Sequence, residues 1–484
     1  MTITQRRLSL DAPDLTTRPV SMQSWMILMV LCVAQFVNVL NFQSVTLVLP
    51  ALQHGLGFSS EQLQWVVSAN VLSFGGGLLV GGRLADLFGH RRLFIIGLIL
   101  GGLSTLACGF SFTQLMLILA RILQGISSAM LIPAASALLI DTFPRGAYRY
   151  RALGIWSAVG PIGGMVGTLL GTALTDAFGW PWVFFMNVPL MFVALPFAFK
   201  LLPCVHEATE HVRLDVGGAL LSTGGVVFLI AGLAQIVHPT GSVITVFALL
   251  AGFFASLLLF CMLEMRIPHP LLPLSFFRRP AIVGSSLVTL AFSAVANTPI
   301  FFFTLYMQQV RGFSSFMTGL AFLPTNLALI GGSYISARLI RWLGYKLVTL
   351  SGLFMLTLGV LLFTRLSVAG SYFWMLLPGL ILLGGGLGIT QVVVTGVGID
   401  HVTSTEHGLV SSVLNMASQI GTAIGLATLV MLANLHTSLY AGGYAQLSAT
   451  EIVSSFQWAF YGGVAFALLS IVLMLVTFKK VIQK

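Results

Sequence analysis

Charge is scarce in this chain of 484 residues: only 7% are Asp, Glu, Lys or Arg. A soluble domain carries about 25%. So few charges cannot cover a water-exposed surface, and a water-soluble globular enzyme is excluded. With 57% hydrophobic residues and a mean hydropathy of +0.99 the chain is not disordered either, since disordered segments are poor in apolar residues. Cysteine is scarce as well. Cys32, Cys108, Cys204 and Cys261 have no pair spacing, so neither a disulfide framework nor a metal site is expected. The signatures of several enzymes are missing. HEATEH (206–211) fails the zinc pattern because Glu210 stands where a second His is needed, and a solvated linker is the plainer reading. There is no Gly-x-Ser-x-Gly nucleophile elbow and no phosphate-binding GxxxxGK[ST] loop, so no ATP drive and no cofactor are expected.

What remains is an all-α polytopic membrane protein. A span takes about 20 apolar residues. Apolar runs between polar or Pro/Gly breaks mark about fourteen, near 25–49, 64–82, 93–111, 113–140, 152–174, 182–201, 217–237, 243–263, 281–307, 316–337, 347–364, 372–398, 408–434 and 454–478. The basic residues support this count. With the N-terminus inside and spans alternating, twenty of the 23 Lys and Arg fall on the inner side. Arg311 and Arg365 fall outside, and Arg121 lies within a span. This is the positive-inside bias, and it places both termini in the cytoplasm. The net charge of +10 is thereby topological, and no nucleic-acid partner is expected. Arg6-Arg7 is followed by Asp11 and Asp14 where an apolar core should begin, so a cleaved export signal is not expected.

The division expected is an N-terminal tail (1–24), a six-helix half (25–201), a linker with two extra helices (202–264), a second six-helix half (265–478) and a C-terminal tail (479–484). A weak repeat supports the halves: GGRLADLFGHRR (81–92) after span 2 is echoed by SARLIRWLGYK (336–346) after span 10. Repeated halves with a site between them are a common transporter plan.

GGRLADLFGHRR also resembles the signature loop of the major facilitator superfamily, through Gly82, Asp86, Gly89, Arg91 and Arg92. Gly82 permits close helix contact. Asp86 at a helix end suits the backbone N–H groups that begin a helix of the other half, and the arginines suit an acid such as Asp141. Together these would form a latch that breaks when the halves rock. LILARILQGISSAMLIPAA (117–135) is similar to the family's second motif, with Arg121, Gln124 and Gly125. WPWVFFMNVP (180–189) and the run 65–92 look like the fourteen-helix drug:proton antiporter branch. The resemblance implies a fourteen-helix fold with two helices inserted between six-helix halves. It also implies export of drugs or antibiotics, often in exchange for protons.

The chain departs from that branch where an acid is expected in span 1, nine residues before Pro50, because Asn41 stands there. Span 5 has Gly160, Pro161, Gly163, Gly164, Gly167 and Gly171, but Thr168 and Thr172 replace a Pro and a Gly of the antiporter motif. Such GxxxG spacings otherwise mean tight helix packing.

All thirteen Asp and Glu lie in loops or at span ends. Arg121 is the one deep basic residue, on a face with Gln124 and Ser128. It either bonds carbonyls and amides of neighbouring spans or supplies a positive spot beside the substrate or coupling path. Asn38 and Asn41 of span 1, Asn297 and Gln308 of span 9, and Asn415 and Gln419 of span 13 lie on polar faces. These are either helix–helix hydrogen bonds or a polar route. With no central carboxylate, the expected substrate is a neutral, zwitterionic or anionic small molecule. A monomer in the plasma membrane is expected, with protons as a possible second partner. Uptake or facilitated diffusion of a metabolite is the alternative, and a membrane-embedded enzyme or lipid-handling protein a further one.

Overall fold

A computed structural model describes residues 21–58, 60–143, 147–203, 215–237, 243–267, 272, 274–296, 298–313, 315–400, 406–440 and 448–481. Among them all regular structure is helical. In hydrocarbon a helix satisfies its own backbone groups, which an open strand cannot do. The principal helices are α1 (Met22–Leu47), α2 (Ser60–Phe88), α3 (His90–Gly109), α4 (Gln114–Thr142), α5 (Ala147–Phe178), α6 (Val188–Leu201) and α7 (Val216–Val237). They continue as α8 (Val243–Glu264), α9 (Pro280–Ala296), α10 (Leu323–Phe363), α11 (Leu377–Asp400), α12 (His407–Tyr440) and α13 (Ala449–Val481).

Twelve helical stretches of the described residues are long and apolar enough to cross a membrane. This differs from the fourteen-span map in two places. The runs 316–337 and 347–364 fall in one stretch, Met317–Phe363. Within Leu323–Phe363 the backbone leaves helical geometry at Gly344 (φ 73°, ψ 166°). The run 217–237 is α7, whose apolar part Gly217–Leu233 is shorter than the others. Two other spans are segmented. The run 182–201 is broken at Asn187, ahead of Pro189, and 372–398 opens with a π-helical turn, Tyr372–Leu376.

Helices α2, α3 and α4 pack on one another, as do α1 and α5, with α6 against α1 and α3. Helix α9 packs on α12 and α13, and α10 on α11 and α13. Between these groups α5 meets α10 and α11, while α12 meets α2 and α4. Helix α7 lies against α2, α12 and α8. Helix α8 presents Phe247, Phe254 and Leu258 outward, an apolar face suited to lipid.

Lipid is as apolar as leucine, so helix association rests on close van der Waals packing rather than on escape from water. The glycines show this. On α5, a side chain at Gly163, Gly167 or Gly171 would strike Phe36, Leu40 or Ser44 of α1, whereas Gly160 and Gly164 keep ordinary contact distances. Thr168 and Thr172 lie on α5, and their side chains fall outside the described set. On α12, a Cβ at Gly421 or Gly425 would collide with the Leu290 or Ala294 carbonyl of α9. Phe302, Phe303, Phe363, Phe456 and Phe460 fill the space near α13, with ring centroids 5.3–6.4 Å apart.

Gly425→Val overpacks the α9–α12 contact, at a cost of about 1–3 kcal/mol. It should lower the melting midpoint of the detergent-purified protein. Gly331→Val, where an added Cβ meets nothing within 4 Å, should stay within about 0.5 kcal/mol of the parent. Equal midpoints for the two variants would contradict the packing described.

Candidate functional site

Helix α4 begins after Thr113, whose hydroxyl accepts from the Met116 N–H at 3.2 Å. About two turns further on, Arg121 is 1% exposed. Its Nε donates to the Val66 carbonyl of α2 at 2.8 Å. Its Nη1 donates to Gln124 Oε1 at 2.6 Å and to Asn41 Oδ1 of α1 at 3.4 Å. Gln124 passes a bond on to Thr105 Oγ1 of α3 at 2.8 Å. Asn70 Nδ2 reaches the Arg121 carbonyl at 3.3 Å, and the Ser128 hydroxyl reaches Asn38 Oδ1 at 2.8 Å. The spacing 121, 124, 128 puts all three side chains of α4 on one face. Nη2 is buried and has no hydrogen-bond partner. Among the described residues Arg121 takes part in no ion pair.

A cavity of about 20 Å³ lies here, lined by Asn38, Asn41, Asn70, Thr105, Arg121, Gln124 and their neighbours. That is room for about one water molecule, far below the roughly 300–1,000 Å³ of a drug-sized pocket. Its walls come from α1, α2, α3, α4 and α6 alone. The polar residues of the later helices do not join it. The Ser293 and Ser418 hydroxyls bond each other at 2.9 Å, and Thr422 Oγ1 donates to the Ser293 carbonyl at 3.4 Å. Asn415 donates to the Ser411 carbonyl of its own helix at 2.9 Å. Gln419 is half-buried on α12, and Gln308 lies in a π-helical turn, Tyr306–Val310. Asn297 lies outside the described residues.

A second polar cluster stands at the basic end of the bundle. Gly89 (φ 90°) turns the chain from α2 into α3, and Gly344 (φ 73°) marks the echoing turn within α10. Asp86 Oδ1 accepts from the Gly408 N–H at 3.0 Å, and Oδ2 from the Leu409 N–H at 2.9 Å. These amides open α12, where helical N–H groups lack intrahelical partners and the dipole favours an anion. Helices α2 and α12 come this close because Gly82 and Gly408 face each other. A Cβ on Gly82 would strike Gly408 and Ser412, and one on Gly408 would strike Asp86.

Asp141 was expected to take an arginine partner. Its oxygens instead meet two imidazoles: His90 Nδ1 at 2.8 Å and His407 Nδ1 at 2.8 Å. His90 Nε2 also meets Asp86 Oδ1 at 3.0 Å. An imidazole serves two carboxylates from both nitrogens only as the cation. Arg91 turns away to donate to the Phe199 carbonyl, and Arg92 is exposed. Arg279 and Glu406 add a two-pronged ion pair at 2.8 and 3.1 Å between the start of α9 and the residue before α12. The Glu406 carboxylate raises the Arg279 pKa above its ordinary value. His90 and His407 were missed in the sequence. His90 stands one turn from Asp86, which could have marked it, but no local signal marks His407.

A family model described as the Major Facilitator Superfamily matches residues 31–426. The chain belongs to the Major Facilitator Superfamily. Within it, the chain is 34% identical over 457 residues to the puromycin resistance protein pur8 of Streptomyces alboniger, covering 91% of this chain and 89% of that protein. It is also 34% identical over 450 residues to the cephamycin export protein CmcT of Amycolatopsis lactamdurans, covering 91% and 90%. Among solved structures, the human transporter MFSD10 (TETRAN) superposes with a TM-score of 0.65 at 17% identity, over 93% of this chain and 99% of that one. That likeness speaks to the fold alone. The chain is thus a multi-pass membrane transporter of this superfamily and not an enzyme.

Asp86→Asn removes the charge from two bonds to the α12 N-terminus. Hydrogen bonds to charged groups contribute about 1.5–3 kcal/mol, so the α2–α12 contact should open roughly tenfold more often. Cysteine at Ser412, which is buried against Gly82, reports this in a background without the native cysteines. A water-soluble maleimide should label it about tenfold faster with Asp86→Asn. An unchanged rate would show that these bonds do not hold the contact.

Proposed function

We propose that the chain exports a small drug-like or antibiotic molecule across a prokaryotic plasma membrane by alternating access. The observation that carries this reading is the 34% identity, over 91% of the chain, to proteins named for puromycin resistance and cephamycin export. An exporter that confers self-resistance beside an antibiotic pathway fits those relatives. The substrate is neutral, zwitterionic or anionic, because the deep polar cluster offers a guanidinium and amides but no described carboxylate. Export, rather than metabolite uptake, is the direction the relatives favour.

The helices support a fourteen-span reading. Met317–Phe363 supplies two spans on either side of Gly344, and α7 supplies the last beside the eleven other long stretches. Residues 25–201 and 265–478 are then the six-helix halves, with α7 and α8 as the added pair. The matching positive-φ turns at Gly89 and Gly344 favour that duplication. Alternating access rocks the halves about the α5–α10 and α2–α12 contacts. The Gly82–Arg92 loop, with Asp141, is read as a cytoplasmic latch, and the bias of the basic residues supports cytoplasmic termini. Proton antiport is the drive we favour. With Asn41 neutral, the groups available to carry the proton are Asp86, Asp141, His90 and His407, or the substrate itself. The protein works as a monomer.

Expression in a pump-deficient host should raise the inhibitory concentration of one antibiotic class, with puromycin, a cephamycin and lincomycin in the panel. Arg121→Ala should return it to the vector level. A protonophore should abolish drug efflux from loaded cells if protons drive it. No resistance to any compound, with the protein present in the membrane, would sink the export reading.

A further inference from the structure

Arg121 carries its charge into the bundle without an answering charge among the described residues. Among the described residues its three donor contacts end on neutral acceptors: a backbone carbonyl, an amide of Gln124 and the amide of Asn41. Neutral acceptors satisfy N–H groups but leave the net charge in place. The guanidinium has five N–H donors, and Nη2 is buried without a partner. The side chain lines the small cavity together with Asn38, Asn41, Asn70, Thr105 and Gln124. Every one of these is neutral, and four carry amide N–H groups. A fixed single positive charge among neutral dipoles favours a single negative charge. A cation is repelled, and a dianion leaves an excess charge of the opposite sign.

We propose that this cavity is a monoanion site, with Arg121 Nη2 as its principal donor and the amides around it as supporting ligands. The planar guanidinium suits a carboxylate and also a small spherical anion. Two sources share that chemistry: a free inorganic anion of halide size, which the present volume admits, and a carboxylate on the transported molecule, which enters when the surrounding helices part. The second source rests on the export reading, whereas the first does not. The site lies within the walls of α1, α2, α3, α4 and α6, so bound anion neutralises one helix group rather than bridging the two.

The test uses the purified full-length protein in lipid nanodiscs, with ionic strength held by sodium sulfate. The melting midpoint is followed against sodium chloride and, separately, sodium benzoate. A ligand that binds only the folded state raises the midpoint saturably. The parent should show such a rise. Arg121→Gln and Asn41→Asp should each weaken the apparent affinity at least roughly tenfold, a difference of about 1.4 kcal/mol. Asn41→Asp keeps the arginine and supplies an internal counter-charge, since Asn41 Oδ1 lies 3.4 Å from Nη1. It therefore decides the matter even if Arg121→Gln does not fold. Saturation by chloride alone assigns a free ion, and saturation by benzoate in competition with chloride assigns a carboxylate of the cargo. No saturable response in the parent, or an Asn41→Asp variant with parental affinity, overturns the proposal. The resistance panel on the same variants separates the two readings. Resistance without an anion response removes the anion site alone, and an Arg121-dependent anion response without resistance removes the export reading alone.

Discussion

Hydrocarbon solvates neither a charge nor an open backbone amide, and the whole chain is ordered by that constraint. It makes every described element helical, and it drives acids and nearly all bases to the helix ends. It also removes the usual gain from burying leucine, so helices meet where glycines let backbones touch, as Gly425 does at Ala294. A polar residue left inside such a bundle must be answered locally. Two clusters among the described residues show two different answers.

Around Arg121 the answer is dipolar. A carbonyl, two amide oxygens and a threonine hydroxyl take up hydrogen bonds in a relay from α2 through α4 to α3. At the basic end carboxylates and imidazoles answer one another: Asp86, His90, Asp141 and His407 form one chain of contacts, and Asp86 returns to the first amides of α12. Dipoles hold a charge in place without cancelling it, which keeps a site receptive. A chain of carboxylates and imidazoles satisfies its own members, which makes a contact that is strong when closed and depends on where its protons sit. The first arrangement suits a binding site and the second suits a switch.

Much of this was legible in the sequence, because the constraint acts on composition and spacing. Apolar runs gave the helices, and Gly82, Asp86 and Gly89 gave the turn and its anion. The face 121–124–128 gave the deep cluster. What was illegible depended on which partner came nearest. The arginines of the 81–92 loop read as suited to Asp141 across the helix ends, yet it is the ring of His90 in that loop that meets it. The faces of α9 and α12 read as a possible polar route, but Ser293, Ser418 and Thr422 bond across the helix pair. Facing helices with matched hydroxyls close on each other, and no single-helix pattern reveals the match. The stretch 316–364 read as two spans, and within Leu323–Phe363 the backbone kinks at Gly344.

The two clusters share one helix. Arg121 and Asp141 both belong to α4, 20 residues apart, which is roughly 30 Å along the axis. Pro133 lies between them and removes a backbone bond from that stretch. The walls around Arg121 come only from α1, α2, α3, α4 and α6, so rocking of the later helices leaves its neighbours together. The end cluster, in contrast, spans the contact to α12. A change at the basic end therefore reaches Arg121 through tilt or bending of α4 and α2, not through loss of its ligands. Occupancy at Arg121 has the same two helices through which to act on the end cluster. Coupling between such sites is reciprocal. A substrate or ion that binds Arg121 more tightly in one arrangement of α4 must bias the Asp86–α12 contact by the same free energy. That makes α4, with its proline, the element that joins the two clusters.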